Sequence, residues 1–185
     1  DHFDAGTCRS CSLLPQPYER QLAGKAEAVA ATLSPVLGAD EIAWLAPASS
    51  PQKGFRTSAK LVVGGTRRRP TLGILGPDRR GIDLPGCPIQ HPAINRATPG
   101  LKRFIRSLSL TPYDVPTKRG ELKNILITVG AGEQLMIRFV LRTRERVSDI
   151  RSALPLLRNL VPSAHVVTAN IHPTHEAIVE GPDEI

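Results

Sequence analysis

Aromatic side chains are scarce in this chain: four Phe, two Tyr and one Trp make up 4% of its 185 residues. A core without large rings has to be aliphatic, and a hydrophobic content of 41% supplies one. No apolar run approaches the roughly 20 residues that a membrane-spanning helix needs. The opening Asp1-His2-Phe3-Asp4 is polar and acidic, unlike a secretory signal, and no initiator methionine precedes it. The chain is therefore expected to be a piece of a longer protein, trimmed at both ends. Gly-x-Gly-x-x-Gly and the P-loop pattern are both missing, which excludes the usual nucleotide cradles. No internal repeat emerges. Acidic residues are outnumbered by basic ones, 17 against 24, for a net charge of +7. That balance suits a polyanionic partner, nucleic acid first, although a solvated arginine-rich surface would give the same count.

Cysteine is also rare, with three residues. Three thiols and no secretory signal argue for reduced cysteines in the cytoplasm, not a disulfide scaffold. Cys8-Arg9-Ser10-Cys11 places two sulfurs on one turn, and Cys87 follows in Leu84-Pro85-Gly86-Cys87-Pro88. Such a set suits an iron–sulfur or zinc site with one ligand unseen. A redox pair with an unrelated third thiol fits the same spacing.

Periodicity divides the rest. Residues 18–33 carry Leu22, Ala26, Val29, Ala30 and Leu33 at helical spacing, and Gly38 is read as the stop. Residues 41–45 form a short apolar piece closed by Pro47. A strand over 54–64, a turn over 65–70 and a returning strand over 71–75 make a hairpin. Residues 76–92, dense in glycine, proline and charge, read as a long loop holding Cys87. A helix follows over 93–110, which Pro99 is expected to interrupt. Residues 122–129 are apolar on both faces and read as a central strand, joined by the turn 130–133 to an alternating strand over 134–142. A single amphipathic helix over 147–160 and strands over 165–171 and 176–180 complete the set. The order predicts an α+β domain, an antiparallel or mixed sheet with helices on one face.

Several stretches together resemble the 23S rRNA (uracil-5-)-methyltransferases, in particular the shorter branch without an N-terminal TRAM domain. They are Asp4-Ala5-Gly6 before Cys8-x-x-Cys11, Gly54-Phe55-Arg56 with Ala59-Lys60, Leu110-Thr111-Pro112-Tyr113 and Lys118-Arg119-Gly120-Glu121-Leu122-Lys123. Arg138-Phe139-Val140-Leu141-Arg142, Ala153-Leu154-Pro155 and Asn170-Ile171-x-Pro173-x-His175 follow in the family's order. The resemblance implies a [4Fe–4S] cluster on Cys8, Cys11 and Cys87, the fourth thiolate falling just before Asp1. His2 or His91 would complete a zinc site instead, although each also suits a surface histidine. It implies one cluster-bearing, RNA-recognition domain over 1–185, with the metal-site region at 1–14 and 76–92. Methyl transfer from S-adenosylmethionine belongs to a domain after residue 185, where a cysteine thiolate adds to C6 of the uracil. No catalytic residue is expected in this chain, and alone it should be inactive.

RNA contact is expected from Phe55 and Arg56 as stacking surfaces and from Lys60 on phosphate, with Lys118, Arg119 and Lys123 as a second basic cluster. Arg67 to Arg69 read as a solvated hairpin tip, and Arg138 and Arg142 as the polar face of a strand. The implied partners are a 23S rRNA hairpin and the chain's own S-adenosylmethionine domain; a cytoplasmic monomer without membrane contact is expected. A self-contained zinc-stabilised nucleic-acid module and an iron–sulfur electron carrier are the alternative readings.

Overall fold

Successive side chains of a strand point to opposite faces, so a sheet can bury one face and leave the other open. A computed structural model describes residues 2–37, 42–176 and 178–185. It contains strands β1 (Ser58–Gly65), β2 (Pro70–Leu75), β3 (Gly81–Asp83), β4 (Leu122–Val129), β5 (Leu135–Leu141), β6 (Ala164–Ile171) and β7 (Asp183–Glu184). The helices are α1 (Tyr18–Leu37), α2 (Pro92–Ser107), α3 (Val147–Ser152) and α4 (Leu154–Leu160). The seven strands form one sheet in the order β3-β2-β1-β4-β5-β6-β7. All neighbours are antiparallel except β5 and β6, which pair in parallel across the α3–α4 connection. The sheet is thus mixed, within the α+β class that the sequence predicts.

Leu61, Val63, Ile125, Ile127, Ile137 and Phe139 join Ile94, Leu101, Phe104 and Ile105 of α2 in one buried core. Phe104 and Phe139 meet with ring centroids 5.6 Å apart, the largest side chains in it. Each is worth roughly 1.5–3 kcal/mol of burial. The alternate residues Lys60, Val62, Asn124, Leu126 and Arg138 stay exposed or half-buried and form a second, open face. By contrast α1 buries nothing. Its Leu22, Ala26 and Ala30 are half-buried, Val29 and Leu33 exposed, and its start is tied by the Ser50 amide donating to the Tyr18 hydroxyl at 2.8 Å.

Four expectations are corrected. Pro99 does not interrupt α2, which runs through it. The next residue, Gly100, packs so close to α4 that a Cβ would lie 2.3 Å from the Leu160 carbonyl. That tertiary contact outweighs the one hydrogen bond Pro99 removes. Residues 76–92 are not all loop, because Gly81–Asp83 adds an edge strand whose Asp83 carboxylate accepts from the Leu72 amide (2.9 Å) and from Lys102 (2.6 Å). The predicted single helix over 147–160 is two, broken at Ala153, with Pro155 in the first turn of α4. Pro155 has no N–H for the carbonyl four residues back, so the first helix ends and another begins.

Finally, residues 176–180 are not a strand among the described residues, and Asp183–Glu184 pairs with β6 instead. Asn170 fixes this later register: its side chain bonds both the amide of Gly181 (2.7 Å) and its carbonyl (3.0 Å). Arg138 adds ion pairs to Glu180 and, at 2.9 Å, to Glu184. Gly38, the expected helix stop, and Glu41, the first residue of the 41–45 piece, lie outside the described residues. No helix among the described residues is long and apolar enough to cross a membrane.

Candidate functional site

Two sites stand out near β1. The first gathers the thiols. The Gly54 amide donates to Pro88 O, the Arg56 amide to Ile89 O and the His91 amide to Arg56 O, each at 2.9 Å. This short ladder sews the Cys87 segment onto the approach to β1, and Asn95 Nδ2 donates to Cys87 O at 3.0 Å. From the other end, the His2 ring donates from Nε2 to the Pro85 carbonyl at 2.8 Å, and the Cys8 amide donates to His2 O at 3.0 Å. Cys8, Cys11 and Cys87 consequently line one pocket of about 50 Å³, walled by Phe3, Leu14, Leu84 and Ile89. All three are free thiols. Among the described residues no group of three or more His, Cys, Asp or Glu side chains is gathered closely enough to hold a metal ion. The donor set nevertheless suits a thiophilic group: three sulfurs, apolar walls and no carboxylate lining the pocket. His91 lies outside that lining and caps α2, its Nδ1 accepting from the Ala93 amide at 3.2 Å.

The second site is a cavity of about 300 Å³ on the open sheet face. Lys60 and Val62 of β1 and Asn124 of β4 form its floor, with Tyr113 and His175 on one wall and Arg79 and Lys118 at its lips. Gly120 makes this arrangement possible. It sits at φ 108°, and a Cβ there would lie 2.1 Å from Pro112 O, so only glycine lets residues 112–113 run beside Leu122. A bulge between Leu122 and Asn124 leaves Lys123 unpaired in the β4–β5 ladder, and Lys123 is only 7% exposed.

Its ammonium is already engaged. It donates to the Thr174 carbonyl, stands 3.4 Å from His172 Nδ1 and lies 4.9 Å from the centroid of the Tyr113 ring. Burial, and behind it the Arg142 charge, hold Lys123 below the ordinary lysine pKa, while the Glu121 carboxylate pulls the other way. His172 is lowered by burial and then by Lys123. Burial raises the Tyr113 phenol, which hydrogen-bonds His175 Nδ1 and stacks on that ring at 6.0 Å and 18°.

The structure thus brings Lys60, Lys118 and Lys123 to one cavity. Phe55 is 51% exposed. Arg56 lines an adjoining cavity of about 250 Å³ with Gln90 and the three cysteines, and Lys60 borders both spaces. Arg119 lines neither; its carbonyl accepts from the Asp114 amide at 2.7 Å. Arg138 belongs to the ion pairs that hold the chain's last residues. Tyr113, His172, His175 and Arg79 received no role from the sequence. The first three lie in or beside motifs that carried the resemblance, while Arg79 lies in the charge-rich 76–92 segment that was read only as a loop holding Cys87.

No family model matches the chain. In fold it is similar to a crystal structure of the Pyrococcus abyssi tRNA (uracil-54, C5)-methyltransferase in complex with S-adenosyl-L-homocysteine, with a TM-score of 0.66 at 20% identity. That match covers 94% of this chain and 39% of the other, so the domain has the fold of part of an RNA uracil-C5 methyltransferase. In sequence it is 43% identical to the 23S rRNA (uracil(747)-C(5))-methyltransferase RlmC of Enterobacter sp. (strain 638) and 45% identical to that of Cronobacter sakazakii, over 99% of its length. The chain spans about half the length of these curated relatives, 48% of each. Over that stretch it is similar to about half of a 23S rRNA (uracil-C5)-methyltransferase.

Proposed function

We propose that this chain is the RNA-holding part of an S-adenosylmethionine-dependent 23S rRNA uracil-C5 methyltransferase. One observation carries the reading: an open sheet face with two adjoining cavities, bordered by Arg56, Lys60 and Lys118, which form no ion pair among the described residues. Free cations around nucleotide-sized hollows suit an RNA loop, whose splayed bases need stacking surfaces and whose phosphates need positive charge. Phe55 and Arg56 supply flat groups for stacking, and Lys60 and Lys118 supply charge. Lys123 acts one step back, fixing the turn at residues 172–175.

Cys8, Cys11 and Cys87 would hold a [4Fe–4S] cluster, with a fourth thiolate from outside the chain. Bound there, such a group supplies a covalent staple between the N-terminal segment and the Cys87 loop. The methyl transfer itself, through a thiolate adduct at uracil C6, falls to a domain beyond residues 1–185, and the whole acts as a cytoplasmic monomer.

The test uses the complete protein: radiolabelled methyl transfer from S-adenosylmethionine to a 23S rRNA hairpin, and hairpin binding by fluorescence anisotropy. Transfer to uracil C5 together with salt-dependent binding is expected. Absence of both would overturn the reading, and iron that cycles in a redox titration without RNA affinity would point to an electron carrier.

A further inference from the structure

The cavity beside His175 has lips of an unusual kind. Arg79 (φ 62°) and Lys118 (φ 56°) are both in the left-handed region, which L side chains adopt at a cost. Each sits in a closed turn: the Arg79 amide donates to Gly76 O at 2.9 Å, and Asp114 Oδ2 caps the Thr117 amide at 3.1 Å just before Lys118. Arg80 and Asp114 approach to 4.0 Å, so the two turns face each other. Neither Arg79 nor Lys118 has an ion pair among the described residues, and both line the cavity with Lys60. Backbone held against its preference tends to gather at ligand clamps, where it fixes a group in place. The space between is two-natured. Val62, Leu75 and Ile178 give it aliphatic walls, and the exposed His175 ring is held in place by Tyr113; Glu176 is the one carboxylate in the lining.

We propose that this cavity takes one unpaired nucleotide of the RNA, other than the uracil being methylated. Its phosphate lies among Arg79, Lys118 and Lys60, and its base lies on the His175 ring. A free phosphate would need only the cations. The aliphatic walls and the braced ring suit a ribose and a base, and 300 Å³ is at the lower end of the range of small-ligand sites. The inference rests on the RNA-holding reading and goes beyond it by naming the subsite and its occupant.

The experiment measures binding of the complete protein to a labelled RNA hairpin with an unpaired loop across a salt series. Arg79→Gly and Lys118→Gly remove a charge each and also relieve the left-handed backbone. Each should lower the slope of log affinity against log salt by about one while the melting temperature holds or rises. His175→Ala should weaken binding roughly fivefold to a hundredfold, with His175→Phe retaining most of the affinity because a ring still stacks. Unchanged slopes in both folded glycine variants would overturn the phosphate clamp, and equal losses in His175→Ala and His175→Phe would overturn the stack. Failure of the wild-type protein to bind the hairpin would instead remove the RNA-holding reading itself.

Discussion

Lys123 separates a strut from a phosphate ligand, because its two roles predict opposite results for one substitution. Its ammonium donates to the Thr174 carbonyl and sits over the Tyr113 ring. A charged hydrogen bond of that kind is worth about 1.5–3 kcal/mol and a cation over a ring about 0.5–2 kcal/mol. Against these stands the cost of burying the charge, so Lys123→Ala, which also opens a void, should destabilise by about 2–4 kcal/mol. Lys123→Met refills the volume and should recover part of that loss. The pH dependence adds a sign. Native Lys123 titrates below its unfolded value of 10.5. As pH rises towards 10.5 the native state releases this proton first and the unfolded state holds more, so stability from this group grows through that window and is lost as pH falls through the native pKa. The raised Tyr113 phenol works in the opposite sense, and subtracting the Met variant's curve from that of the wild type removes it. Urea unfolding at several pH values between 7 and 10.5 measures the difference, with RNA salt slopes recorded on the same samples. A change below about 0.5 kcal/mol, together with a salt slope reduced by one, would refute the strut and return Lys123 to the RNA.

Three further outcomes are open to measurement. Gly100→Ala places a methyl 2.3 Å from the Leu160 carbonyl and should cost about 1–3 kcal/mol, read as a lowered urea midpoint with an unchanged slope. Cys87→Ser in anaerobically purified complete protein should strip iron and sulfide and make residues 76–92 more sensitive to protease; undiminished iron would exclude Cys87 as a ligand. Arg56→Ala should weaken hairpin binding by roughly 1–3 kcal/mol if a base stacks on its guanidinium, and equal affinity at moderate salt would dismiss that contact.

What could be read from the chain follows the range of the forces involved. The β1–β2 hairpin and the β4–β5 pair were legible because apolar runs bounded by glycine-rich turns, and the alternation along 134–142, are local signals. Pro99 and Pro155 look alike in sequence and behave differently: α2 is held across Pro99 by Gly100 against α4, a contact between residues sixty apart, whereas at Pro155 one helix has ended at Ala153 and another begins. The last strand was placed too early because Asn170, eleven residues upstream of Gly181, sets its register through side-chain bonds that no periodicity records. At the site, charge and motif pointed to Lys60 and Lys118. They also pointed to Lys123, which lines the same cavity but has its ammonium on the Thr174 carbonyl and over the Tyr113 ring. Arg79 was invisible, since its significance depends on a turn conformation and on a cavity formed by distant segments.

The three-rung ladder between residues 54–56 and 88–91 ties the Cys87 segment to Arg56, which lines one cavity with all three cysteines and so moves with that segment as a lever. If the state of the thiols alters the tilt of that lever, RNA affinity shifts with it. Reciprocity then demands that bound RNA shift the thiol equilibrium by the same free energy.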